Sequence, residues 1–303
     1  MEENKNYDVV IIGGSYAGLS AAMSLGRAIR KVLMIDNGKP CNIQTPHSHN
    51  FITHDGNTPA IIAAQAKAQV MAYPTIRFLQ DEVTAVQGEN NQFIVSTGSV
   101  ENIIAGKILF TTGVKDLMPD IPGLAACWGI SVIHCPYCHG YEYRQQRTGI
   151  MANGDIAFEF SKLVKNWTND LTIFTNGKSA ITTAQQDQLS ALGINIVEKP
   201  FQKIEHQDGY LTSIVFTDGE IFHLDALYAK LPFKQHCTIP ENLGCVLNES
   251  GYIQVDAFQK TSVPGIYAAG DNTTAFRSVA LAVSAGSMAG AFINKELVEE
   301  MVY

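Results

Sequence analysis

Two cysteines separated by two residues, Cys135 and Cys138, are the pair in this sequence best suited to redox chemistry. In such a pair one thiolate attacks a disulfide and the second resolves the mixed disulfide, and the pKa of the first thiol is usually lowered. His139 follows the pair directly and His134 precedes it, so an imidazole is available to hold or deliver the proton that exchange requires. The spacing predicts thiol–disulfide exchange, with Cys135, Cys138 and His139 as the catalytic residues.

Two other interpretations of the pair stay open at this point. Cysteine and histidine are also zinc ligands, but a structural zinc site has four ligands, usually as two closely spaced pairs. Cys237 and Cys245 are spaced too widely to make a good second pair. A buried, inert pair is the other alternative. The cysteines outside the pair are expected to be small buried hydrophobic residues rather than reactive thiols; they are Cys41, Cys127, Cys237 and Cys245.

Composition excludes several other classes of protein. The 303 residues include 21 Lys and Arg against 29 Asp and Glu, a net charge of −8, and 46% of them are hydrophobic. Intrinsic disorder requires low hydrophobicity and high charge, and an acidic chain without a basic run is poorly suited to nucleic acid. The first residues lack a secretory pattern, and the run 278–293 is shorter than the roughly 20 residues of a membrane span. We therefore expect a cytoplasmic protein without a nucleic-acid or membrane partner.

A strand–turn–helix–strand unit near the start of the chain predicts a dinucleotide site. Its four parts are expected at residues 7–12, 13–18, 19–28 and 31–36, about the length of a nucleotide-binding unit. Gly13 and Gly18 occupy the outer motif positions, which allow a tight bend and close helix packing. Ser15 takes the middle position, where a small residue lets the backbone approach a pyrophosphate. Asp36 ends the second strand, where a carboxylate accepts hydrogen bonds from the ribose hydroxyls. An ordinary glycine-rich turn is the alternative.

A second unit of the same kind follows about 140 residues later. Its strand, turn, helix and next strand are expected at 147–151, 152–157, 157–167 and 171–175. Further strands are expected at 93–96, 107–113 and within 261–271, and an Ala-rich helix follows the last. Two such units predict an α/β fold with two nucleotide-binding-like domains.

These motifs, in this order, resemble those of the low-molecular-weight thioredoxin reductases, flavoproteins in which a pyridine-nucleotide domain interrupts an FAD-binding domain. The resemblance covers nearly the whole chain and includes the late strand that ends in Gly270-Asp271. It implies two Rossmann-like (FAD/NAD(P)-binding) domains, the first of them discontinuous in sequence. Residues 1–115 and 240–303 would bind FAD, and residues 116–239 would form the pyridine-nucleotide-type domain that carries the dithiol. The resemblance also implies a homodimer.

The same resemblance implies roles for individual residues. Asp271 corresponds to the residue on the ribityl chain of FAD, and Arg277 with Ser278 lie where the family has Arg-Gln beside the flavin ring. Cys138 would be the sulfur that faces the flavin, and Cys135 would exchange with the substrate. The complete set of expected cofactor-binding residues is Gly13, Ser15, Tyr16, Ala17, Gly18, Asp36, Asn42, His49, Val83, Gly113, Gly270, Asp271, Arg277 and Ser278.

Local departures from the reductases indicate a particular branch of the family. His139 follows the dithiol where the reductases have an aspartic acid. The run 135–142 resembles the dithiol oxidases that close disulfides in gliotoxin and holomycin biosynthesis. The loops after Asp36 and around His49 also resemble that branch, with Cys41 in place of an arginine often found there.

The turn of the second strand–turn–helix–strand unit, at residues 152–157, departs furthest from the pattern of the reductases. Ala152 replaces its first glycine, and residues 176–178 stand where the reductases place arginines around the NADPH 2′-phosphate. Lys178 is a weak replacement for a bidentate guanidinium. We therefore expect little preference for NADPH over NADH, unless Arg144 or Arg147 folds back onto the phosphate.

The predicted function is that of an FAD-dependent dithiol/disulfide oxidoreductase of the thioredoxin reductase type. Electrons would pass between the flavin and Cys135/Cys138, and on to a thioredoxin-like protein or a small-molecule disulfide. Two alternatives stay open: an oxidase that takes electrons from a small dithiol and passes them to oxygen, and an FAD-holding redox sensor without turnover. The sequence leaves NAD(P)H open as the electron donor.

Overall fold

A computed structural model of the protein describes residues 5–301. In chain order the strands are β1 (Asn6–Ile12), β2 (Val32–Asp36), β3 (Ile76–Gln80), β4 (Val83–Gln87), β5 (Phe93–Thr97), β6 (Ile103–Phe110), β7 (Val114–Asp116), β8 (Val132–Ile133), β9 (Thr148–Met151), β10 (Leu171–Phe174), β11 (Asn195–Val197), β12 (Phe201–Gln207), β13 (Tyr210–Phe216), β14 (Ile221–His223), β15 (Ala226–Ala229), β16 (Phe233–Gln235) and β17 (Ile266–Ala268). The helices are α1 (Tyr16–Arg27), α2 (Pro59–Met71), α3 (Leu124–Cys127), α4 (Pro136–His139), α5 (Gly154–Val164), α6 (Thr183–Ala191), α7 (Ile239–Asn242) and α8 (Val279–Met301).

The chain divides into two compact units. The first contains residues 5–43, 51–115 and 233–301, and the second contains residues 44–50 and 116–232. The α/β architecture with two Rossmann-type sheets is confirmed. The chain returns to the first unit at residue 233 rather than at the expected 240, because β16 pairs with β7. Residues 44–50, which the sequence places with the first domain, belong to the second unit.

The first unit is built on a seven-stranded sheet. Its strands run in the order β3-β2-β1-β6-β5-β4, with β17 also paired to β6. The pairs that join β3, β2, β1, β6 and β17 are parallel, whereas β4 and β5 are antiparallel additions. Residues 9–12 of β1 are buried on both faces, which explains the continuous apolar run expected of a central parallel strand.

Helix α8 packs closely on α1 through glycine. A Cβ added to Gly286 would collide with the carbonyl oxygen of Ala17, and one added to Gly290 would lie 2.6 Å from the carbonyl oxygen of Ala21. The small-residue run 278–293 is therefore a helix–helix packing surface, as its composition indicates, and α8 continues to Met301. Within residues 5–301, no helix combines the length and the apolar character that a membrane crossing requires.

The second unit has a five-stranded parallel sheet, ordered β11-β10-β9-β15-β8, and an antiparallel sheet β12-β13-β14. Aromatic rings around Phe174 fill the core between them, with Phe222 at a centroid distance of 5.1 Å and Phe201 at 5.7 Å. Helix α5 begins at Gly154, three positions before the expected start, because the side chain of Asn153 accepts the N–H of Gly154 and caps the helix.

Candidate functional site

The two predicted redox cysteines are joined by a disulfide bond. Cys135 is the residue that precedes α4 and Cys138 lies within α4, with their Cα atoms 5.3 Å apart, inside the usual range for a disulfide. Pro136 opens the helix at a position where its missing N–H has no intrahelical partner to lose. The N–H of Gly140 donates to the carbonyl of Pro136 at 2.7 Å and closes the turn. One short helical turn therefore presents both sulfurs.

Aromatic side chains of the second unit hold this turn. The ring of Tyr137 meets the ring of Trp167 edge-on, with centroids 5.5 Å apart. A Cβ at Gly140 would lie 3.0 Å from the same indole, so glycine lets the turn pack directly on Trp167. His134 stacks on Trp128 with centroids 5.8 Å apart. The side chain of Tyr137 remains 51% exposed, so the turn is supported from within and accessible from outside.

His139 is a neutral base at physiological pH. Burial, and to a lesser extent the charge of His49, lower the pKa of His139 to about 4, because both disfavour the protonated imidazole. A neutral ring is the form that accepts a proton from an attacking thiol. His49 belongs to the segment 44–50 of the same unit, and its Nε2 lies 3.5 Å from Oε1 of Glu142.

The cysteines outside the disulfide differ in exposure. Cys127 and Cys245 are buried, as expected, and Cys237 is half-buried. Burial raises the pKa of all three thiols. The expectation is wrong for Cys41, which is exposed because it lies in the irregular segment after β2. Within residues 5–301, no group of three or more His, Cys, Asp or Glu is arranged to hold a metal ion.

In the first unit, the predicted dinucleotide motifs meet at one edge of the sheet. The carboxyl ends of β1, β2, β6 and β17 lie together because these strands are parallel. The hydroxyl of Thr111, after β6, donates to the carbonyl of Gly13 at 2.7 Å. Asn272, after the late Gly270-Asp271 pair, donates its Nδ2 to the carbonyl of Phe110 at 2.9 Å. Motifs about 100 and 250 residues apart in sequence are thereby brought together.

Glycine is required in the first turn by close backbone contacts. Gly13 has a φ of +109°, in the region that residues with a Cβ rarely adopt. A Cβ on Gly18 would collide with the carbonyl oxygen of Gly13. Helix α1 can therefore start directly behind β1 only with these residue types, which leaves its N-terminus at the sheet edge.

The same edge offers the groups that a dinucleotide requires. The carboxylate of Asp36 ends β2, and Ser15 precedes α1 without its side chain capping the helix. The buried Oγ1 of Thr112 has no hydrogen-bond partner among the described residues, and a Cβ at Gly113 would meet nothing within 4 Å. A buried polar atom of this kind calls for a partner such as a ligand or water. With the positive end of α1 beside it, this edge fits a dinucleotide, and FAD is the dinucleotide expected from the sequence.

The other predicted cofactor residues also lie in the first unit, with one exception. Nδ2 of Asn42 donates to the hydroxyl of Tyr16 at 3.4 Å, and Val83 begins β4 half-buried against the core. Oγ of Ser278 accepts an N–H from the first turn of α8 at 3.2 Å, so serine caps the helix there. The remaining members are Ala17, Gly270, Asp271 and Arg277. The exception is His49, which lies in the second unit; all these cofactor roles remain predictions.

The corresponding turn of the second unit is closed by its own side chains. Oδ1 of Asn153 accepts the N–H of Gly154 at 2.8 Å and that of Ala180 at 2.7 Å. Its Nδ2 donates to the carbonyl of Lys178 at 2.9 Å. Asp155 follows in the first turn of α5. Asn153 thus accepts one N–H group of the helix N-terminus that faces a pyrophosphate in a nucleotide fold, and Asp155 places a negative charge beside it.

The arginines of the second unit are engaged elsewhere. Arg147 pairs with Asp225 through two hydrogen bonds of 3.0 and 3.1 Å and precedes β9, at the opposite end of that strand from the turn. The guanidinium of Arg144 lies 4.0 Å from the centroid of the Tyr141 ring. Asn176, at the position of the expected phosphate clamp, accepts a backbone N–H of β12 at 2.7 Å. In these contacts, neither Arg144 nor Arg147 is placed to bind a 2′-phosphate.

Two features of these sites were missed from sequence. Asn153 carries a local signal, because asparagine immediately before a helix is a typical N-cap, whereas the glycine pattern of the turn does not indicate the cap. The pairing of His49 with Glu142 has no local signal, since the two residues are far apart in sequence and lie in segments without regular structure.

Comparison with known proteins finds relatives over nearly the whole chain. The sequence family described as pyridine nucleotide-disulphide oxidoreductase matches residues 7–289. Thioredoxin reductase tcpT of Claviceps purpurea is 31% identical, over 99% of this chain and 97% of that protein. Thioredoxin reductase sirT of Leptosphaeria maculans is 30% identical, over 95% and 93%. The solved structure of an oxidoreductase from Agrobacterium tumefaciens is similar with a TM-score of 0.91 at 36% identity, over 97% of this chain and 99% of that one.

Proposed function

Because the chain belongs to the pyridine nucleotide-disulphide oxidoreductase family and is a thioredoxin reductase-like thiol–disulfide oxidoreductase, we propose that it is FAD-dependent and exchanges electrons with its substrate through Cys135 and Cys138. The single observation that carries the proposal is the disulfide on a supported, accessible turn with a neutral imidazole at the next residue. Bound FAD would supply a two-electron acceptor or donor for that disulfide.

The exchange itself is carried out by residues of the second unit. A substrate thiol gives its proton to His139, and its sulfur attacks Cys135. The bond between Cys135 and Cys138 breaks, and its electron pair stays on Cys138 as a thiolate. A second substrate thiol then attacks the mixed disulfide and releases Cys135 as a thiolate, which takes up a proton. The products are a substrate disulfide and two reduced cysteines, and the reverse sequence reduces a disulfide substrate.

Cys135 is assigned as the exchanging sulfur and Cys138 as the resolving one. The assignment is supported by position, since Cys135 precedes α4 while Cys138 is inside it. Treating Cys138→Ser with the disulfide of a monothiol, such as oxidised glutathione, should release one glutathione and leave a stable mixed disulfide on Cys135, detectable by mass. A stable adduct in Cys135→Ser and none in Cys138→Ser would reverse the assignment.

A second candidate function, dithiol oxidation with oxygen as the final acceptor, is favoured by the closed turn of the second unit. With Asn153 across the N-terminus of α5 and Asp155 beside it, a nicotinamide dinucleotide loses its usual anchor. Electrons would then enter from a dithiol substrate. The substrate class is a small dithiol or disulfide, or a thioredoxin-like protein.

The proposal also includes an oligomeric state and a compartment. The homodimer rests on the resemblance to the thioredoxin reductases. A cytoplasmic location is supported by the reduced thiols of Cys127, Cys237 and Cys245, since thiols stay reduced in that compartment. Light scattering of the purified protein at micromolar concentration tests the dimer.

The FAD assignment is tested by purification and reconstitution. The protein should be yellow and contain one FAD per chain, and a dithiol should reduce that flavin without oxygen. Under air, the oxidase candidate predicts hydrogen peroxide in an amount equal to the dithiol consumed. A colourless protein that does not take up added FAD contradicts the proposal.

A further inference from the structure

Trp167 is held in place by helix α5, which ends three residues before it. The N–H of Trp167 donates to the carbonyl of Val164, the last residue of α5, at 2.9 Å. Val164 is completely buried in a core that also contains Ile150 of β9 and Ile173 of β10. Because side chains in a close-packed core have little room to shift, the position of Trp167 is fixed relative to the parallel sheet of the second unit.

Trp167 contacts the dithiol turn and the residues after it at three points. The ring of Tyr137, which lies between the two cysteines in sequence, meets the indole edge-on with centroids 5.5 Å apart. A Cβ at Gly140 would lie 3.0 Å from the indole. The N–H of Gln145 donates to the carbonyl of Trp167 at 2.8 Å. The turn is therefore packed against this one tryptophan.

Two of these contacts depend on the indole and the third does not. The N–H of Gln145 binds the backbone of Trp167, and the hydroxyl of Thr168, a buried residue, donates to the carbonyl of Gln146 at 2.7 Å. These two hydrogen bonds hold the chain between the turn and β9 whichever side chain follows Asn166. Replacing the indole therefore loosens the turn that carries the cysteines without releasing the chain that follows it.

We propose that Trp167 is a positioning residue for the redox couple of Cys135 and Cys138. Its indole holds the turn so that the two sulfurs stay close to each other when reduced, and the disulfide is thereby favoured over the dithiol. This inference rests on the proposed function, since it assumes that the pair cycles between the two states. Trp167 itself forms no bond to the substrate and transfers no electron.

The equilibrium between dithiol and disulfide reports this effect. Reduced dithiothreitol gives two electrons and two protons to the pair, becomes its cyclic disulfide, and leaves Cys135 and Cys138 as thiols. The reverse reaction is favoured by a high effective concentration of one thiol at the other, which a supported turn provides. In an unsupported turn the reduced cysteines sample more backbone conformations, and closing the disulfide must fix them again. Fixing one residue costs enough to change the equilibrium constant about tenfold.

The test is a redox titration of the holoenzyme without oxygen, in buffers with stepped ratios of reduced to oxidised dithiothreitol. Acid quenching, alkylation and mass analysis of the peptide with Cys135 and Cys138 give the fraction of disulfide, so the readout does not depend on turnover. In Trp167→Ala the midpoint should shift about tenfold toward a lower ratio of reduced to oxidised dithiothreitol, equivalent to about 30 mV. Trp167→Phe restores an aromatic ring and should lie within about threefold of the wild type.

Two further variants separate positioning from a general loss of stability. Tyr137→Leu removes the same ring contact from the accessible side of the turn, where the tyrosine is 51% exposed, and so serves if Trp167→Ala does not fold. Its midpoint should shift in the same direction, and the double variant should shift less than the sum of the two single ones. Phe222→Ala is the matched control, because it removes a ring of the second unit that packs on Phe174 at 5.1 Å. It should lower the melting temperature and leave the midpoint unchanged.

The outcomes distinguish this inference from the proposed function. If Cys135 and Cys138 of the wild type remain a disulfide even at the most reducing ratio, the pair is not a redox couple and the proposed function fails. If the wild type titrates but Trp167→Ala and Tyr137→Leu keep its midpoint, Trp167 has no positioning role and only this inference is overturned. A shift in Phe222→Ala or in Trp167→Phe as large as that in Trp167→Ala would overturn it equally.

Discussion

The turn between β1 and α1 and the turn between β9 and α5 occupy equivalent places in two parallel sheets, but their side chains do opposite things. In the first, Gly13 and Gly18 bring the helix N-terminus to the sheet edge and Ser15 leaves it uncapped. In the second, Asn153 caps the helix and also bonds to Lys178 and Ala180. Because an N–H group at a helix N-terminus can be satisfied by a ligand or by the chain's own side chains, the shared fold does not imply a shared ligand.

In the second unit, the residues predicted to be catalytic lie away from the turn between β9 and α5. Its sheet and helices are retained, but its chemistry is concentrated at the dithiol turn, where Cys135, Cys138 and His139 lie together. The first unit, by contrast, has its predicted functional residues along the carboxyl edge of the sheet. Under the proposed function, the first unit would bind the cofactor and the second would carry out thiol exchange.

The sharpest test of this division is Cys135→Ser. Disulfide turnover should be abolished while the protein keeps one FAD per chain, because the substituted residue lies outside the unit proposed to bind FAD. Turnover is measured with a dithiol and FAD content by absorbance after denaturation. Cys41→Ser, which changes an exposed thiol of the first unit, is the matched control with full activity expected. Loss of FAD in Cys135→Ser would show that the two functions are not separable.

Replacing His139 with alanine should have the next largest effect. The rate of thiol exchange should fall by about 10²–10⁴, the usual range for a general acid or base. Because its pKa is lowered to about 4, the wild-type imidazole stays neutral as pH falls from 8 to 5, and the rate at fixed total thiol should hold over that range. An unchanged rate in His139→Ala would leave the residue without a catalytic role.

A single added methyl group should disrupt the turn between β1 and α1. Gly18→Ala places a Cβ against the carbonyl oxygen of Gly13 and should weaken FAD binding by about tenfold or more, since helix and ligand must both shift. Reconstitution of the apoprotein with FAD, followed by fluorescence, gives the affinity. Full retention of FAD in Gly18→Ala would remove the steric argument for this site.

The comparison variant in the second turn is Asn153→Ala. It should lower the free energy of unfolding by about 0.5–2 kcal/mol, the usual cost of a lost helix cap, and should leave FAD binding unchanged. Thermal unfolding monitored by circular dichroism and by FAD fluorescence measures both effects. A loss of FAD as large as that in Gly18→Ala would mean that the two turns do not differ as described.

The preference between NADPH and NADH should be the smallest of the predicted effects. Losing two charge-assisted bonds to the 2′-phosphate, each contributing about 1.5–3 kcal/mol, weakens NADPH binding by about two powers of ten or more. We therefore expect the apparent affinities for NADPH and NADH to agree within about tenfold, with both poor. A micromolar Michaelis constant for NADPH together with a hundredfold preference over NADH would show that another residue binds the phosphate.

The features of the fold and of the site that could be predicted are those set by short-range sequence patterns. The burial of β1, the glycine turn and Asp36 at the end of β2 follow from short-range sequence, because parallel strands and tight turns impose local requirements. The dithiol was predictable for the same reason, since two residues of spacing fit one helical turn. Boundaries were less accurate: α5 starts at Gly154 rather than at residue 157, because a side-chain cap decided the start.

Contacts between distant segments could not be predicted. Nothing local to His49 indicates that residues 44–50 pack with the dithiol-bearing unit, and its neighbour Glu142 is identified only by the folded chain. The residue type of Cys41 predicts burial, but Cys41 lies in an irregular segment after β2 and is exposed. In each case tertiary packing, rather than propensity, decided the environment.

The most direct test of the division between the two turns is the anaerobic reduction of bound FAD in a stopped-flow spectrometer, with NADPH, NADH and dithiothreitol as parallel donors. If the second turn is closed to nicotinamide dinucleotides and the dithiol is the entry point for electrons, dithiothreitol should reduce the flavin while both nucleotides do so slowly. Cys135→Ser should then lose the response to dithiothreitol. Fast, saturable reduction by NADPH that is unaffected in Cys135→Ser would contradict the account.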